Sequence, residues 1–255
     1  MSPDFQLTHS ADGTPIAWSV EGDGPALVVV NCVMAWRGST PQPHLPAALA
    51  KHFTVITYDR RGKGESGNTD PYAVDRECED LAAVIEANGG EACVYGFSSG
   101  ALLALAAAAR GVPMTTVVAL EPPVGGESLP DRRSEFAAIL AEDPRAANEF
   151  FVVEVQGIPA EVLESFPALS PEQVAAVPTI MHELTMLAQL DPQALSGSST
   201  PSLLLHSDHT SAFLVDSAER IHQVLPSSRL AVLPGQWHGV ADDLIVAECI
   251  RFLGT

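Results

Sequence analysis

The feature that most constrains this chain is the run Gly-Phe-Ser-Ser-Gly at residues 96–100. It follows a predicted strand over residues 92–95 and leads into an apolar predicted helix over residues 99–110. A G-x-S-x-G run between a strand and a helix makes a sharp, strained turn, and its glycines leave room for neighbouring backbone. The run therefore predicts that Ser98 lies exposed at the carboxyl end of a strand, as a candidate nucleophile.

Short β-rich runs alternate with helical runs through the first half of the chain and again at its end. The predicted strands are residues 5–7, 15–20, 26–31, 53–58, 92–95, 115–120, 202–206 and 229–233. The predicted helices are residues 45–51, 72–88, 99–110, 212–225 and 242–252. This alternation is typical of an α/β fold, and we predict a mostly parallel eight-stranded sheet flanked by helices on both faces.

The alternation stops between Pro122 and Pro201. This stretch has amphipathic helical patterns at residues 133–141, 160–166 and 171–190, separated by prolines, and no strand pattern. We therefore predict a helical lid over residues 124–199, inserted after the sixth strand. The α/β core would then consist of residues 1–123 and 200–255.

The net charge of the chain restricts the kinds of partner that it is expected to bind. Thirteen Lys and Arg against thirty-two Asp and Glu give a formal net charge of −19, which disfavours binding to nucleic acid or to a membrane. The chain opens without a cationic, apolar leader, and its cysteines are scattered, so we expect a cytoplasmic protein. We find no metal-ligand or nucleotide-binding spacing. The expectation is a small-molecule substrate and no cofactor or metal, with a homodimer left open.

A serine nucleophile needs a base, and His238 is the strongest candidate. It lies in the loop between the last predicted strand and the last predicted helix, at a carboxyl end of the sheet. The histidines at positions 9, 44, 52, 182 and 222 lie in loops or on helices away from that edge. His206 and His209 flank a strand end and are weaker candidates for contact with substrate.

Taken together, these motifs make the chain resemble the α/β-hydrolase fold family over essentially its whole length. Residues 59–66, Asp-Arg-Arg-Gly-Lys-Gly-Glu-Ser, are similar to the family's D-x-R-G-x-G-x-S loop, which is usually structural. The order of serine, acid and histidine along the chain and a cap after the sixth strand also fit. The resemblance implies the fold and a serine-dependent chemistry, and it leaves the substrate open.

The identity of the acid that would orient His238 has two candidates. Family members usually carry it after the seventh strand, where Asp208 lies two residues earlier than the family's pattern. Glu121 directly follows four apolar residues at the end of the sixth strand, a position from which some members supply the acid. A carboxylate there would be costly to bury without a partner. We favour Glu121 and keep Asp208 as the alternative.

The resemblance also implies two backbone donors for an oxyanion. One is the N–H of Ser99 at the start of the helix, and the other, by position in the loop after the third strand, is the N–H of Val33. The family often has a glycine where this chain has Cys32. Four apolar side chains are expected to line the substrate pocket: Met34, Trp36, Phe97 and Trp237, with a core position equally open for Met34 and Trp36.

The predicted function is a serine hydrolase that cleaves a small to medium, largely apolar ester or lactone through an acyl-enzyme. Two other enzyme activities would use the same three side chains, namely a cofactor-free perhydrolase and a carbon–carbon bond hydrolase. A third alternative is a ligand-binding relative with an idle triad, which the off-pattern Asp208 and the missing glycine at Cys32 would fit.

Overall fold

A computed structural model describes residues 5–125 and 130–254. Its main sheet has eight strands in the order β1-β2-β4-β3-β5-β6-β7-β8. The strands are β1 (Gln6–His9), β2 (Pro15–Glu21), β3 (Ala26–Val30), β4 (Thr54–Tyr58), β5 (Ala92–Phe97), β6 (Met114–Leu120), β7 (Ser202–Ser207) and β8 (Ser228–Leu233). The β1–β2 hairpin is antiparallel and pairs antiparallel with β4, whereas β3 to β8 run parallel. This sheet confirms the predicted fold class.

Helices cover both faces of the sheet, because successive strand residues point to opposite sides. The helices outside the insertion are α1 (Leu45–Leu49), α2 (Val74–Ala87), α3 (Ser99–Ala109), α9 (Ala212–Val224) and α10 (Asp242–Leu253). On β3, Val28 and Val30 belong to the core cluster beneath α2, α3 and α9. Leu27 and Val29 belong to the cluster beneath α1 and α10. The parallel strands are buried on both faces, which explains their continuous apolar runs.

The segment between β6 and β7 is helical, as its proline-punctuated pattern predicts. Its elements are α4 (Arg133–Glu142), α5 (Pro144–Phe150), a π-helical turn (Phe151–Val155), α6 (Ala160–Leu163), α7 (Pro171–Ala176), a 3-10 turn (Val177–Thr179), α8 (Ile180–Gln189) and a second 3-10 turn (Pro192–Leu195). We call residues 124–199 the inserted segment. Its residues 126–129 lie outside the described residues, as do residues 1–4 and 255 of the predicted core.

Two features of the inserted segment differ from the sequence prediction. The helical stretch predicted over residues 171–190 is interrupted by a 3-10 turn at Val177–Thr179, where Pro178 removes a backbone donor. Helix α5 was not predicted, although Asp143 caps it by accepting from the Arg145 N–H at 2.8 Å and Pro144 occupies its first turn. That Asp-Pro pair is a recognised signal for a helix start.

None of the helices in the described part of the chain is both long enough and apolar enough to cross a lipid bilayer.

Close packing of α3 against β3 depends on Gly100. A Cβ atom on Gly100 would lie 2.2 Å from the carbonyl oxygen of Val30 and 2.6 Å from that of Asn31. Both contacts are with backbone, so relief requires a shift of the helix against the sheet. The glycine therefore sets how near the helix, and Ser98 before it, can approach the central strands.

We expect Gly100→Ala to lower the free energy of unfolding by about 3 kcal/mol, the upper end of ordinary overpacking. Urea denaturation measures the change. Gly197→Ala is the matched control, because its added Cβ would meet nothing nearer than the Ala109 carbonyl oxygen at 3.6 Å. Equal stability of the two variants would contradict the close-packing role of Gly100.

Candidate active site

Ser98 lies in the turn between β5 and α3 and has a strained backbone, with φ of 52° and ψ of −122°. Its N–H donates to the Leu120 carbonyl oxygen at 2.8 Å, which fixes the turn against the end of β6. The residue is 7 % exposed. Its hydroxyl is therefore held at the carboxyl end of the central strands, where the G-x-S-x-G run predicts it.

His238 reaches Ser98 from a small hairpin that the sequence did not predict. The hairpin consists of β9 (Gly235–Gln236) and β10 (Gly239–Val240), and His238 lies in its turn with φ of 52°. Its Nε2 lies 3.3 Å from the Ser98 Oγ. Its ring packs edge-on against Phe97 and at a tilt of 34° against Trp237. A hydrogen bond of this length is loose, as such bonds often are in a site without substrate.

Glu121 meets the other side of the imidazole. Its Oε2 lies 2.5 Å from the His238 Nδ1 and accepts from the His238 backbone N–H at 3.0 Å. Its Oε1 accepts from the Ser207 backbone N–H at 3.0 Å and lies 2.8 Å from the Ser207 hydroxyl. The residue is fully buried. Burial raises the pKa of the Glu121 carboxyl, but the hydrogen bonds from His238 and Ser207 outweigh it and lower the pKa to about 2.

Asp208, the alternative acid, lies elsewhere and does not contact His238. Its Oδ1 accepts from the Gly235 N–H at 2.9 Å and lies 2.8 Å from the Nδ1 of His209. Both Asp208 and His209 are exposed. The structure thus brings Ser98, His238 and Glu121 together and leaves Asp208 outside the group.

Backbone strain is concentrated at this site. Among the described residues, the non-glycine residues with positive φ are Met34, Ser98, Glu121 and His238, with φ between 50° and 55°. Such conformations cost about 1–3 kcal/mol each and persist only where the surrounding structure imposes them. All four lie in loops that follow a strand at the same edge of the sheet.

The two candidate oxyanion donors both border Ser98. Ser99 begins α3, so its N–H belongs to the first turn, where no intrahelical acceptor exists. Val33 lies in the loop after β3 and lines the same space as Ser98 and Ser99. Met34 follows with its positive φ, so the loop turns sharply without a glycine at Cys32.

Of the four predicted pocket residues, Met34, Phe97 and Trp237 line cavities at Ser98, and Trp36 does not. Trp36 instead exchanges two backbone hydrogen bonds with Ser39, of 2.8 and 3.0 Å, around a tight turn. That pairing holds the tryptophan in the loop. Trp36 thus lines neither of the two cavities at Ser98.

Two cavities meet at Ser98 and His238. The narrow cavity, of about 70 Å³, lies between α3, α8 and the start of α9. The wide cavity, of about 440 Å³, lies between the loop after β3 and the part of the inserted segment from α5 to α7. Both are walled mainly by apolar side chains. Among their described lining residues there is no Lys or Arg, and the one carboxylate is Glu183.

A buried network of charges lies directly behind the start of α3. Arg60 binds Glu77 through two nitrogens, at 2.7 and 3.1 Å, and lies 3.0 Å from Glu183. Lys63 lies 2.7 Å from Glu183, and Arg60 also donates to the Ser99 hydroxyl at 3.3 Å. The four charged side chains sum to zero, and each is at most 2 % exposed.

The network sets the ionisation of Glu183. Burial raises the pKa of the Glu183 carboxyl, but Arg60 and Lys63 outweigh it and lower the pKa to about 2. A balanced, fully bonded set of this kind avoids the cost of an unpaired buried charge. Because Glu183 belongs to α8, the network joins the inserted segment to the core beside Ser99.

Sequence reasoning did not identify Glu183, Lys63 or Ser207 as site residues. The sequence does indicate a buried position for Glu183, because it shares an apolar helix face with Ile180 and Leu184. A charged residue on such a face needs a buried partner. Lys63 and Ser207 carry no comparable signal.

No group of three or more His, Cys, Asp or Glu side chains is placed to hold a metal ion anywhere in residues 5–125 and 130–254.

The low pKa of Glu121 predicts a pH dependence of stability. A carboxyl whose folded pKa is about 2, against an ordinary 4.5, stabilises the fold above about pH 4.5 and loses that contribution as the pH falls toward 2. We expect the stability difference between wild type and Glu121→Gln to be largest above pH 4.5 and to shrink below it.

Urea denaturation at a series of pH values measures this difference. The exposed Glu149→Gln is the control for replacing a surface carboxylate with an amide. A Glu121→Gln difference that stays constant from pH 6 down to pH 3 would contradict the ionised, hydrogen-bonded state of Glu121.

The buried network predicts non-additive substitutions. Glu183→Gln leaves Arg60 and Lys63 short of an anion and should lower the free energy of unfolding by about 3–5 kcal/mol. Lys63→Met should also destabilise. The double variant restores charge balance, so its loss should be smaller than the sum of the single losses by about 0.5–3 kcal/mol. Additive losses would show that the two side chains do not interact.

Comparison with known proteins agrees with the fold described above. The profile of the alpha/beta hydrolase family matches residues 27–247. The solved structure of an alpha/beta hydrolase from Sphaerobacter thermophilus is 36 % identical, with a TM-score of 0.89, and the match covers 97 % of this chain and 100 % of that one. A thermophilic esterase from Thermogutta terrifontis is 20 % identical, with a TM-score of 0.75 and 98 % of both chains covered.

The uncharacterized hydrolase YraK of Bacillus subtilis is 31 % identical over 103 residues, which are 38 % of this chain and 37 % of that protein. The match thus spans little more than a third of that relative. The family profile covers most of the chain, from β3 into α10. The chain therefore belongs to the alpha/beta hydrolase family.

Proposed function

We propose that this protein is a serine hydrolase that cleaves a small to medium, largely apolar and uncharged carboxylic ester or lactone. The observation that carries the proposal is the continuous hydrogen-bond chain from the Ser98 Oγ through the His238 imidazole to the buried Glu121 carboxylate. A serine hydroxyl, an imidazole and an ionised carboxylate in that order are the parts that nucleophilic acyl transfer requires.

In the first half of the reaction, the Ser98 Oγ attacks the acyl carbon while His238 Nε2 takes its proton. The oxyanion that forms accepts from the backbone N–H groups of Ser99 and Val33. The bond from the acyl carbon to the alkoxy oxygen then breaks, and His238 returns the proton to that oxygen. The acyl group stays on Ser98. An ester releases its alcohol at this step, whereas the new hydroxyl of an opened lactone remains attached to the acyl chain.

In the second half, water attacks the acyl carbon as His238 takes a proton from it. The bond to the Ser98 Oγ breaks, the serine regains its proton from His238, and the carboxylic acid departs. Glu121 holds the Nδ1 proton of His238 through both halves and stabilises the imidazolium. No cofactor takes part in the proposed reaction.

The cavity walls support an uncharged substrate. No Lys or Arg occurs among their described lining residues, so an anionic substrate would find no counter-charge. The carboxylate of Glu183 and the net charge of −19 would repel it further. The Thermogutta terrifontis relative is an esterase, which fits the proposed reaction class.

Two further features complete the proposal. The inserted segment acts as the lid of the site, because residues from α5 to α8 form much of both cavity walls. The protein works in the cytoplasm, where its four free cysteines, three of them buried, would stay reduced.

Labelling with a fluorophosphonate probe tests the mechanism, because such probes react with an activated serine. Wild type should label and hydrolyse short-chain esters, and Ser98→Ala should do neither. Glu121→Gln should lower the rate of hydrolysis by about 10³–10⁴-fold, since it leaves His238 in the wrong tautomer.

Asp208→Asn is the matched control and should hydrolyse esters at close to the wild-type rate. A larger loss in Asp208→Asn than in Glu121→Gln would move the acid to Asp208. A folded wild type that neither labels nor hydrolyses any ester would overturn the proposed function. Circular dichroism of each variant confirms that it is folded.

A further inference from the structure

We propose that the substrate is asymmetric about the bond that is cleaved. One side is a short apolar group of up to about four carbons, and the other is larger and has hydrogen-bonding groups. This inference rests on the proposed hydrolase function and follows from the unequal sizes of the two cavities that meet at Ser98.

The narrow cavity sets the limit on the short side. Its volume of about 70 Å³ is roughly half that of the ~150 Å³ cavity that accommodates benzene. Its inner wall includes Leu102 of α3 and Met186 of α8, both fully buried in the main core cluster. Core side chains of this kind are close-packed and do not yield to a longer chain without strain. A group of three or four carbons therefore fills the space.

Glu183 is the one charged side chain among the described lining residues of the narrow cavity, and Ser99, Ser211 and Gln156 add uncharged polar groups to a mainly apolar wall. The charge of Glu183 is already matched by Arg60 at 3.0 Å and Lys63 at 2.7 Å. An anionic group on the short side would meet this carboxylate with no cation in the described wall. The short side is accordingly uncharged and mainly apolar.

The wide cavity accepts a different kind of group. Its volume of about 440 Å³ falls within the ~300–1,000 Å³ range of pockets for drug-sized ligands. Side chains with amide or hydroxyl groups that do not line the narrow cavity border it at Asn148, Gln173 and Thr40, beside the apolar Met34 and Phe166. A larger group with one or two polar atoms finds both apolar contact and hydrogen-bonding partners there.

Two half-exposed phenylalanines offer a matched pair of probes. Phe213, 37 % exposed, lines only the narrow cavity, and Phe166, 46 % exposed, lines only the wide one. Because each ring is partly in solvent, truncation to alanine should leave the fold intact. Phe213→Ala opens the narrow cavity toward solvent. Phe166→Ala changes only the wide cavity.

The test is a grid of alkyl alkanoates in which acyl and alcohol chains are lengthened independently from one or two to eight carbons, with kcat/KM measured by acid release. Lengthening one side beyond four carbons should lower kcat/KM at least about tenfold, the effect of one misfitting methylene. Lengthening the chain on the other side of the ester bond should not lower kcat/KM in this way. Phe213→Ala should extend the limit on the short side, and Phe166→Ala should leave that limit in place.

Equal dependence on both chain lengths would overturn this inference and leave the hydrolase function standing. So would a short-side limit that Phe213→Ala does not move or that Phe166→Ala relieves. Absence of hydrolysis across the whole grid, together with no labelling of Ser98 by fluorophosphonate, would instead overturn the proposed function and this inference with it.

Discussion

The buried carboxylate of Glu121 is the group on which the geometry of the site depends. It receives hydrogen bonds from both His238 and Ser207, and so it joins the end of β6 to the end of β7 and to the β9–β10 hairpin. An ionised carboxyl removed from water is costly unless donors of this kind surround it. The same hydrogen bonds that remove this cost also hold the His238 imidazole facing Ser98. The stability of the buried carboxylate and the candidate chemistry therefore depend on the same contacts.

Strain at the site is compensated by the sheet around it. The positive φ angles of Ser98, Glu121 and His238 bring their three side chains together. Each of these backbone conformations is unfavourable, and the neighbouring residues in the sequence do not offset that cost. Strands β3, β5, β6 and β7 are fully paired beneath these residues, and Gly100 lets α3 pack against β3 without a gap. The core is thus stable enough to hold three unfavourable backbone conformations at its edge.

Most of the fold, and the group formed by Ser98, His238 and Glu121, could be predicted because each has a local signal. Alternating apolar runs define the sheet, G-x-S-x-G defines the turn, and a carboxyl after four apolar residues needs a partner, which favoured Glu121 over Asp208. The hairpin around His238, the break at Val177–Thr179 and the position of Trp36 have weaker local signals. They are set by pairing between distant segments, which one sequence does not display.

The charge network divides the inserted segment into a fixed part and a looser part. Helix α8 contributes Glu183, whose displacement would leave Arg60 and Lys63 buried with too few anions. Such a loss is among the largest that a single change produces, so α8 is held to the core. The part from α4 to α7 packs through apolar side chains such as Phe136 and Phe151 against α8 and against the loop after β3. These contacts are non-directional and tolerate sliding. Any opening of the wide cavity would therefore occur by movement of the part before α8. Such a movement would also shift the side of the narrow cavity formed by Phe151 and Val155, while the side formed by α8 stays in place.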